Sequence, residues 1–350
     1  MAAPIASIGS YRHTSARMRV LSALSKAGER GEPYVPLDRK DVVWLRRHAL
    51  AEKIVEVAPR VFFKRHVWDA LGRGERARAI IGGLAASPFA WGFWGYDAAL
   101  VWGLEVPNDL LDGRYLVASS IPSSLKGPVH LARRERMGPM EDVDGVEVTS
   151  FWRTVEDCLL RAPFSYGLAI ADSALRISGE SREDLAVRLR RDAAGRHGYR
   201  RATVIASYAD GLSENGGESR FRAFFIAYGF EVPELQVEFE DPLEPGKTYR
   251  VDYLWHLDDG SLLAGELDGK EKYLVDAGKD AKISVEAFSA ERQRESRLTL
   301  LGIKVLRFAF AELKDPAVLI EKLGRAGVPR SAERSGDWYA LWSGAGGRAA

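Results

Sequence analysis

The chain of 350 residues holds one cysteine, Cys158. A lone thiol excludes an internal disulfide and any zinc site built from several cysteines, and it suits a reducing compartment. Beside Leu159 and Leu160 it reads as a small buried hydrophobe. The six histidines, at 13, 48, 66, 130, 197 and 256, show no H-x-x-x-H pairing, which leaves histidine-based metal chemistry without support. No Gly-rich phosphate loop and no G-x-S-x-G elbow occurs. No apolar run reaches the roughly 18 residues of a membrane span. The nearest, "GGLAASPFAWGFWGYDAALVWGL", is interrupted by Pro88, Asp97 and five glycines. The opening "MAAPIASIGSYRH" lacks the basic region and apolar core of a secretory signal, so a cytoplasmic location without membrane contact is expected.

Charge of one sign is not scarce, but it is uneven. Residues 1–90 carry sixteen Lys/Arg against eight Asp/Glu, a net +8, whereas 91–209 net −1 and 210–350 net −6. A basic amino-terminal part suits a polyanion; the acidic remainder needs cations before it can approach one.

"TSARMRVLSALSKAG" opens on Thr/Ser, puts Met18, Leu21 and Leu24 on one face and stops at Gly28, which predicts a helix over 14–27. Asp38 caps a second helix reaching about Leu50, with Val42, Leu45 and Ala49 on its apolar side. "IVEVAPRVFFKR" reads as a two-stranded wing turning at Ala58-Pro59. Helix, helix and wing outline a winged helix over 1–72, and the charge makes DNA its expected partner, through Arg39, Lys40, Arg46 and Arg47. A solvated basic face on a protein-interaction domain fits the same charge.

Residues 73–205 read as a mixed α/β domain. "GERARAIIGGLAAS", "GFWGYDAALVWGL", "YGLAIADSALRIS" and "SREDLAVRLRRDAAG" look helical, "RYLVASSIP" and "GPVHLARRERM" extended, and "GVEVTSFWRTVEDCLLRAP" passes from strand to helix. From 206 to 330 the order becomes helix, three strands, helix, strand, helix, an α/β layer sandwich, followed by a tail over 331–350. The expected class is therefore multi-domain α/β.

The stretch "YRVDYLWHLDDGSLLAGELDGKEKY" plants acids in strands that otherwise read as core. Asp258 and Asp259 are turn residues before Gly260. Alternation puts Glu266, Asp268 and Lys270 on one face of a strand, with Asp252 on its neighbour. Buried acids cost desolvation energy unless a cation offsets it. Carboxylates are the hard ligands Mg²⁺ prefers, and such an ion lowers the pKa of bound water and offsets charge building on a phosphate. Glu218 is placed to add a ligand, Gln236 to line the site and Lys270 to orient the water. Arg292, Arg294 and Arg297 are candidate phosphate clamps, Arg294 first, and Arg307 a partner for a site carboxylate. An ordinary charged helix face is the alternative for Arg292, Arg294 and Arg297, a structural salt bridge for Arg307, and a solvated strand edge for the acids.

Asp252 followed after thirteen residues by Glu266-x-Asp268-Gly269-Lys270, behind the helix "GESRFR" of Glu218 and Arg222, resembles the PD-(D/E)xK nuclease superfamily, and within it the branch related to very-short-patch-repair endonucleases. Gln236, Arg250, Tyr273, Arg294, Leu298, Gly302, Val305 and Arg307 extend the likeness over roughly 205–325. The resemblance implies a restriction-endonuclease-like sandwich and a DNA endonuclease of defence or repair. It would use Mg²⁺ or Mn²⁺ held by Asp252, Glu266 and Asp268, with Lys270 and Glu218 completing the catalytic set. The superfamily's lysine normally stands two residues after the second-strand acid; here Asp268 occupies that position and Lys270 lies two further on. The first 205 residues, through "VTSFWRTVEDCLL" and "AIADSALR", look like the AbiE-type antitoxin arrangement. That likeness implies operator binding and a cognate toxin, hence a second reading as a non-enzymatic regulator with an inactive nuclease-like domain.

Overall fold

A computed structural model describes residues 8–89, 91–118, 128–268 and 292–331, with the backbone alone over 8–16. The chain is mixed α/β, with three sheets among the described residues. It divides into two compact units, 1–158 and 159–350.

Unit 1 opens with α1 (Ile8–Glu29), longer than the 14–27 expected. The Asp38 carboxylate accepts the Lys40 N–H at 2.8 Å and so starts α2 (Arg39–His48). β1 (Ile54–Ala58) and β2 (Val61–Lys64) pair antiparallel, and the chain reverses through Arg60 at φ +65°. Val20, Leu24, Val42, Leu45, Ile54 and Phe62 bury each other between these elements. Tyr34 bridges Phe62 through two backbone bonds, adding a third extended segment to the hairpin.

Next come α3 (Arg65–Ala70) and α4 (Arg73–Ala85), and then a five-stranded sheet in the order β5-β4-β3-β7-β6. Its strands are β3 (Gly92–Phe93), β4 (Arg114–Val117), β5 (Val129–Ala132), β6 (Met140–Val143) and β7 (Val146–Thr149). α5 (Gly95–Val101) follows β3, and α6 (Phe151–Leu159) follows β7. "GFWGYDAALVWGL", read as helix throughout, starts as β3, because Gly92 and Phe93 pair with strands on both sides and Gly95 turns at φ +56°. Asp97 is buried on α5, bound by Arg114 at 3.0 Å and by the Tyr115 N–H at 2.8 Å. Burial pushes its carboxyl up to about 6.

Unit 2 contains α7 (Phe164–Ser178), α8 (Arg182–Asp192), α9 (Tyr199–Tyr208) and α10 (Gly216–Ala227). Its sheet runs β11-β10-β9-β8. β8 (Glu234–Glu240), β9 (Thr248–His256) and β10 (Leu262–Asp268) are antiparallel, and β11 (Ile303–Ala309) returns parallel to β10 after a helix, α11, over 292–300. α12 (Pro316–Arg325) closes the unit. The expected order of elements after 206 is present, with the turn at Gly260 (φ +79°); α9 has no counterpart in the sequence reading. The tail beyond 331 lies outside the described residues.

The position near 205 read as a boundary falls inside unit 2. There Arg222 of α10 grips Asp172 of α7 at 2.6 and 2.7 Å, while its other nitrogen donates to the Tyr208 carbonyl at 2.6 Å.

One face of the unit 2 sheet packs Tyr253, Trp255 and Phe308 against Phe221, Phe224 and Phe225 of α10. Gly265 of β10 makes this possible, since a Cβ there would lie 2.7 Å from Trp255 and 2.9 Å from Phe308. Gly265→Ala is expected to cost about 1–3 kcal/mol through overpacking. Urea denaturation reads it, and an unchanged midpoint would contradict this packing.

Candidate active site

The acids gather where the sheet is opened. The β9–β10 ladder ends at Tyr253–Gly265, so the next facing positions are Asp252 and Glu266. There the Asp252 carboxylate takes the Leu267 N–H at 2.8 Å, replacing a ladder bond. On the other side, β8 pairs with β9 at Leu235–Tyr253 and again at Val237–Val251, leaving Gln236 out of the ladder opposite Asp252. Gln236 has φ +53°. A left-handed non-glycine residue within a strand costs on the order of 1 kcal/mol or more and persists where surrounding structure holds it. Both neighbours of Asp252 thus give up regular pairing beside its carboxylate.

Glu218 approaches from the first turn of α10, which Asn215 caps by accepting the N–H groups of Gly217 and Glu218 at 2.9 and 3.1 Å. Its buried carboxylate accepts from Glu214 N–H at 2.7 Å, Asn215 Nδ2 at 2.6 Å and Gln236 Nε2 at 3.0 Å. Burial and then the charge of Asp252 push the Glu218 carboxyl up to about 8. Burial also raises Asp252, opposed by the Leu267 N–H and the charge of Arg294.

Glu218 keeps its proton to about pH 8 when folded, against an ordinary value of 4.5, so the fold loses stability as pH rises between those values. Glu218→Gln, which carries no titrating proton, is expected to stabilise unit 2 at pH 8 by roughly 2–4 kcal/mol and to change little at pH 4.5. Denaturation at both pH values measures it, and equal effects at the two would contradict the raised carboxyl.

Glu266, also buried, is held by Arg294 of α11 at 2.9 Å and by Arg307 of β11 at 3.5 Å. Arg307 is the register partner of Glu266 and also binds Asp268 at 3.0 Å and Glu295 at 3.7 Å. Arg294 additionally donates to the Arg250 carbonyl, and Arg250 pairs with Glu214. Arg307 thus pairs with Glu266 and Asp268, an arrangement that both the site reading and a structural salt bridge would give. Arg297 turns away to Asp241 at 3.0 Å. Lys270, with Gly269 and Tyr273, lies outside the described residues. Among the described residues, no group of three or more His, Cys, Asp or Glu is arranged to hold a metal ion.

In unit 1, Arg39, Lys40 and Arg47 of α2 are exposed, whereas Arg46 clamps Glu56 of β1 at 2.6 and 2.7 Å. Arg60, not singled out in the sequence, ties the hairpin turn to the Pro36 and Leu37 carbonyls at 2.7 and 2.5 Å. The cap at Asn215 was missed as well, although an Asn followed three residues later by Glu is a capping pattern.

No family model matches the chain, and no solved structure matches it. It is similar to two uncharacterised proteins of Mycobacterium tuberculosis, from strains CDC 1551 and H37Rv. Each is 29% identical over 192 residues, covering 53% of this chain and 65% of the relative. The match thus spans less than two thirds of each relative's length. No helix among the described residues is long and apolar enough to cross a membrane.

Proposed function

We propose that unit 2 is a PD-(D/E)xK-type phosphodiester hydrolase acting on DNA, and that residues up to about 72 form a winged helix that supplies affinity for the duplex. The observation that carries this reading is the opening of both ladders beside Asp252, with Glu218 and Glu266 brought to the gap from α10 and β10. A purely structural sheet gains nothing from a strained Gln236 and a carboxyl held near 8.

The donor set fits a hard divalent ion, Mg²⁺ or Mn²⁺, at Asp252 and Glu218. These two carboxylates repel one another, and one or two carboxylates with waters are the usual Mg²⁺ complement. Glu266 does not fit as it stands, because Arg294 and Arg307 already neutralise it; it would be freed as a ligand if Arg294 turned to a phosphate, the other bidentate partner of a guanidinium. Bound there, the ion would lower the pKa of a coordinated water and offset charge on the scissile phosphate. Gln236 and Asn215 orient the Glu218 carboxylate, and the Leu267 N–H orients that of Asp252. Arg307, anchored by Asp268, would offer a second cation to a bound phosphate. Lys270 remains the candidate for steadying the attacking water.

Calorimetric titration of Mn²⁺ tests the reading: one site in the wild type, lost in Asp252→Ala, is the expected result. A wild type that takes up no Mn²⁺ overturns it.

The ion pairs on Glu266 and Asp268 favour a second reading, an antitoxin-like DNA-binding regulator whose nuclease-like domain is inert. A gel shift that needs no metal and survives Asp252→Ala, without any cleavage, identifies that case.

A further inference from the structure

Unit 2 is acidic as a whole, with a net charge of −2, but it holds basic stretches. Residues 182–201, α8 with the first turn of α9, carry seven arginines against three acids, a net +4, while the rest of the unit nets −6. Local structure accounts for part of this excess. Arg188 binds Glu180 at 2.7 and 3.0 Å, Arg182 and Arg191 bind the neighbouring acids Glu183 and Asp192, and Arg201 donates to the Leu160 carbonyl at 2.7 Å. Arg190 and Arg200 are exposed, and no carboxylate among the described residues holds either.

Helix stability does not explain Arg200 and Arg201. They stand in the first turn of α9, which has no acid and no side-chain cap, and cations are disfavoured at that end of a helix. The turn that presents them is fixed. Gly198 sits at φ +86° with its Cβ position 2.0 Å from the Leu160 carbonyl oxygen, the same oxygen that Arg201 grips. Leu185 and Leu189 of α8 and Ala202, Ile205 and Ala206 of α9 are buried, which keeps the charged faces outward.

We propose that the α8–α9 hairpin is a second DNA-contact surface, gripping backbone phosphates through Arg190 and Arg200. Its charge complements a polyanion, and unlike the arginines of 292–307 that bind Asp241, Glu266 and Asp268, Arg190 and Arg200 are held by no carboxylate among the described residues. The proposal rests on the reading of the chain as DNA-binding and adds a contact within the hydrolase unit itself.

The test uses the full chain and a short fluorescent duplex, with anisotropy followed over a range of NaCl. Arg190→Ala/Arg200→Ala is expected to weaken binding about tenfold and to lower the salt slope by about 2, one phosphate contact per arginine. Both side chains are exposed, so circular dichroism should match the wild type. Unchanged affinity and slope overturn the proposal. Arg39→Ala/Arg47→Ala probes α2 separately. If that variant loses all salt-dependent binding while the α8–α9 variant loses none, the winged-helix reading stands and the second surface falls. Sedimentation with phosphatidylserine vesicles adds a further arm: if the α8–α9 variant loses vesicle binding but keeps duplex affinity, the hairpin serves an anionic lipid surface and the proposal is overturned.

Discussion

Arg222→Ala is expected to destabilise unit 2 by about 3–5 kcal/mol, the cost of stranding one member of a buried ion pair. Asp172 is wholly buried and accepts both bonds of the Arg222 nitrogen together with the Asp210 N–H at 2.8 Å. Burial raises its carboxyl against the pull of that guanidinium, so without Arg222 the charge has no adequate partner in the interior. The loss of donation to the Tyr208 carbonyl adds to the effect. Replacing both residues together, Asp172→Leu with Arg222→Met, should recover much of the loss, because a buried pair contributes little net stability over apolar residues of similar size. Chemical denaturation measures both variants, and a loss below about 1 kcal/mol for Arg222→Ala would mean that the pair is solvated.

Asp252→Ala is expected to abolish metal-dependent cleavage, a fall of about 10³-fold or more, equivalent to about 4 kcal/mol of transition-state stabilisation. The fold should tolerate the change. The Asp252 carboxyl is raised by burial, so its removal relieves a desolvation cost and leaves one N–H, that of Leu267, to find water. Glu266→Ala is the less clean probe. It is expected to remove activity too, but it strips Arg294 and Arg307 of a common partner and should lower stability at the same time. A variant that loses activity at full stability therefore separates chemistry from folding, and Asp252 supplies it.

Much of unit 2 was legible because each element carries its own period. Alternation in β9 and β10 placed Asp252 and Glu266, and the apolar spacing of α10 placed the phenylalanines. α9 was missed because "YRRATVIASY" mixes β-branched residues with arginines and has no capping side chain. The Arg222–Asp172 pair joins residues fifty apart, beyond any local pattern, and ties α10 to α7 across the position near 205. At the site, the residue types could be read but their partners could not. Which arginine meets which acid depends on the parallel return of β11, which sets Arg307 beside Glu266 in register. The left-handed turn of Gln236 has no sequence signal either, since glutamine is not a residue that announces it.

The measurement that bears most directly on the hydrolase reading is nicking of supercoiled plasmid by the purified full chain with Mg²⁺, with EDTA, and with Asp252→Ala in place of wild type. Nicks from the wild type with Mg²⁺, and none under the other two conditions, is the expected result. Equal nicking by wild type and variant, or none by wild type with either Mg²⁺ or Mn²⁺, would contradict it.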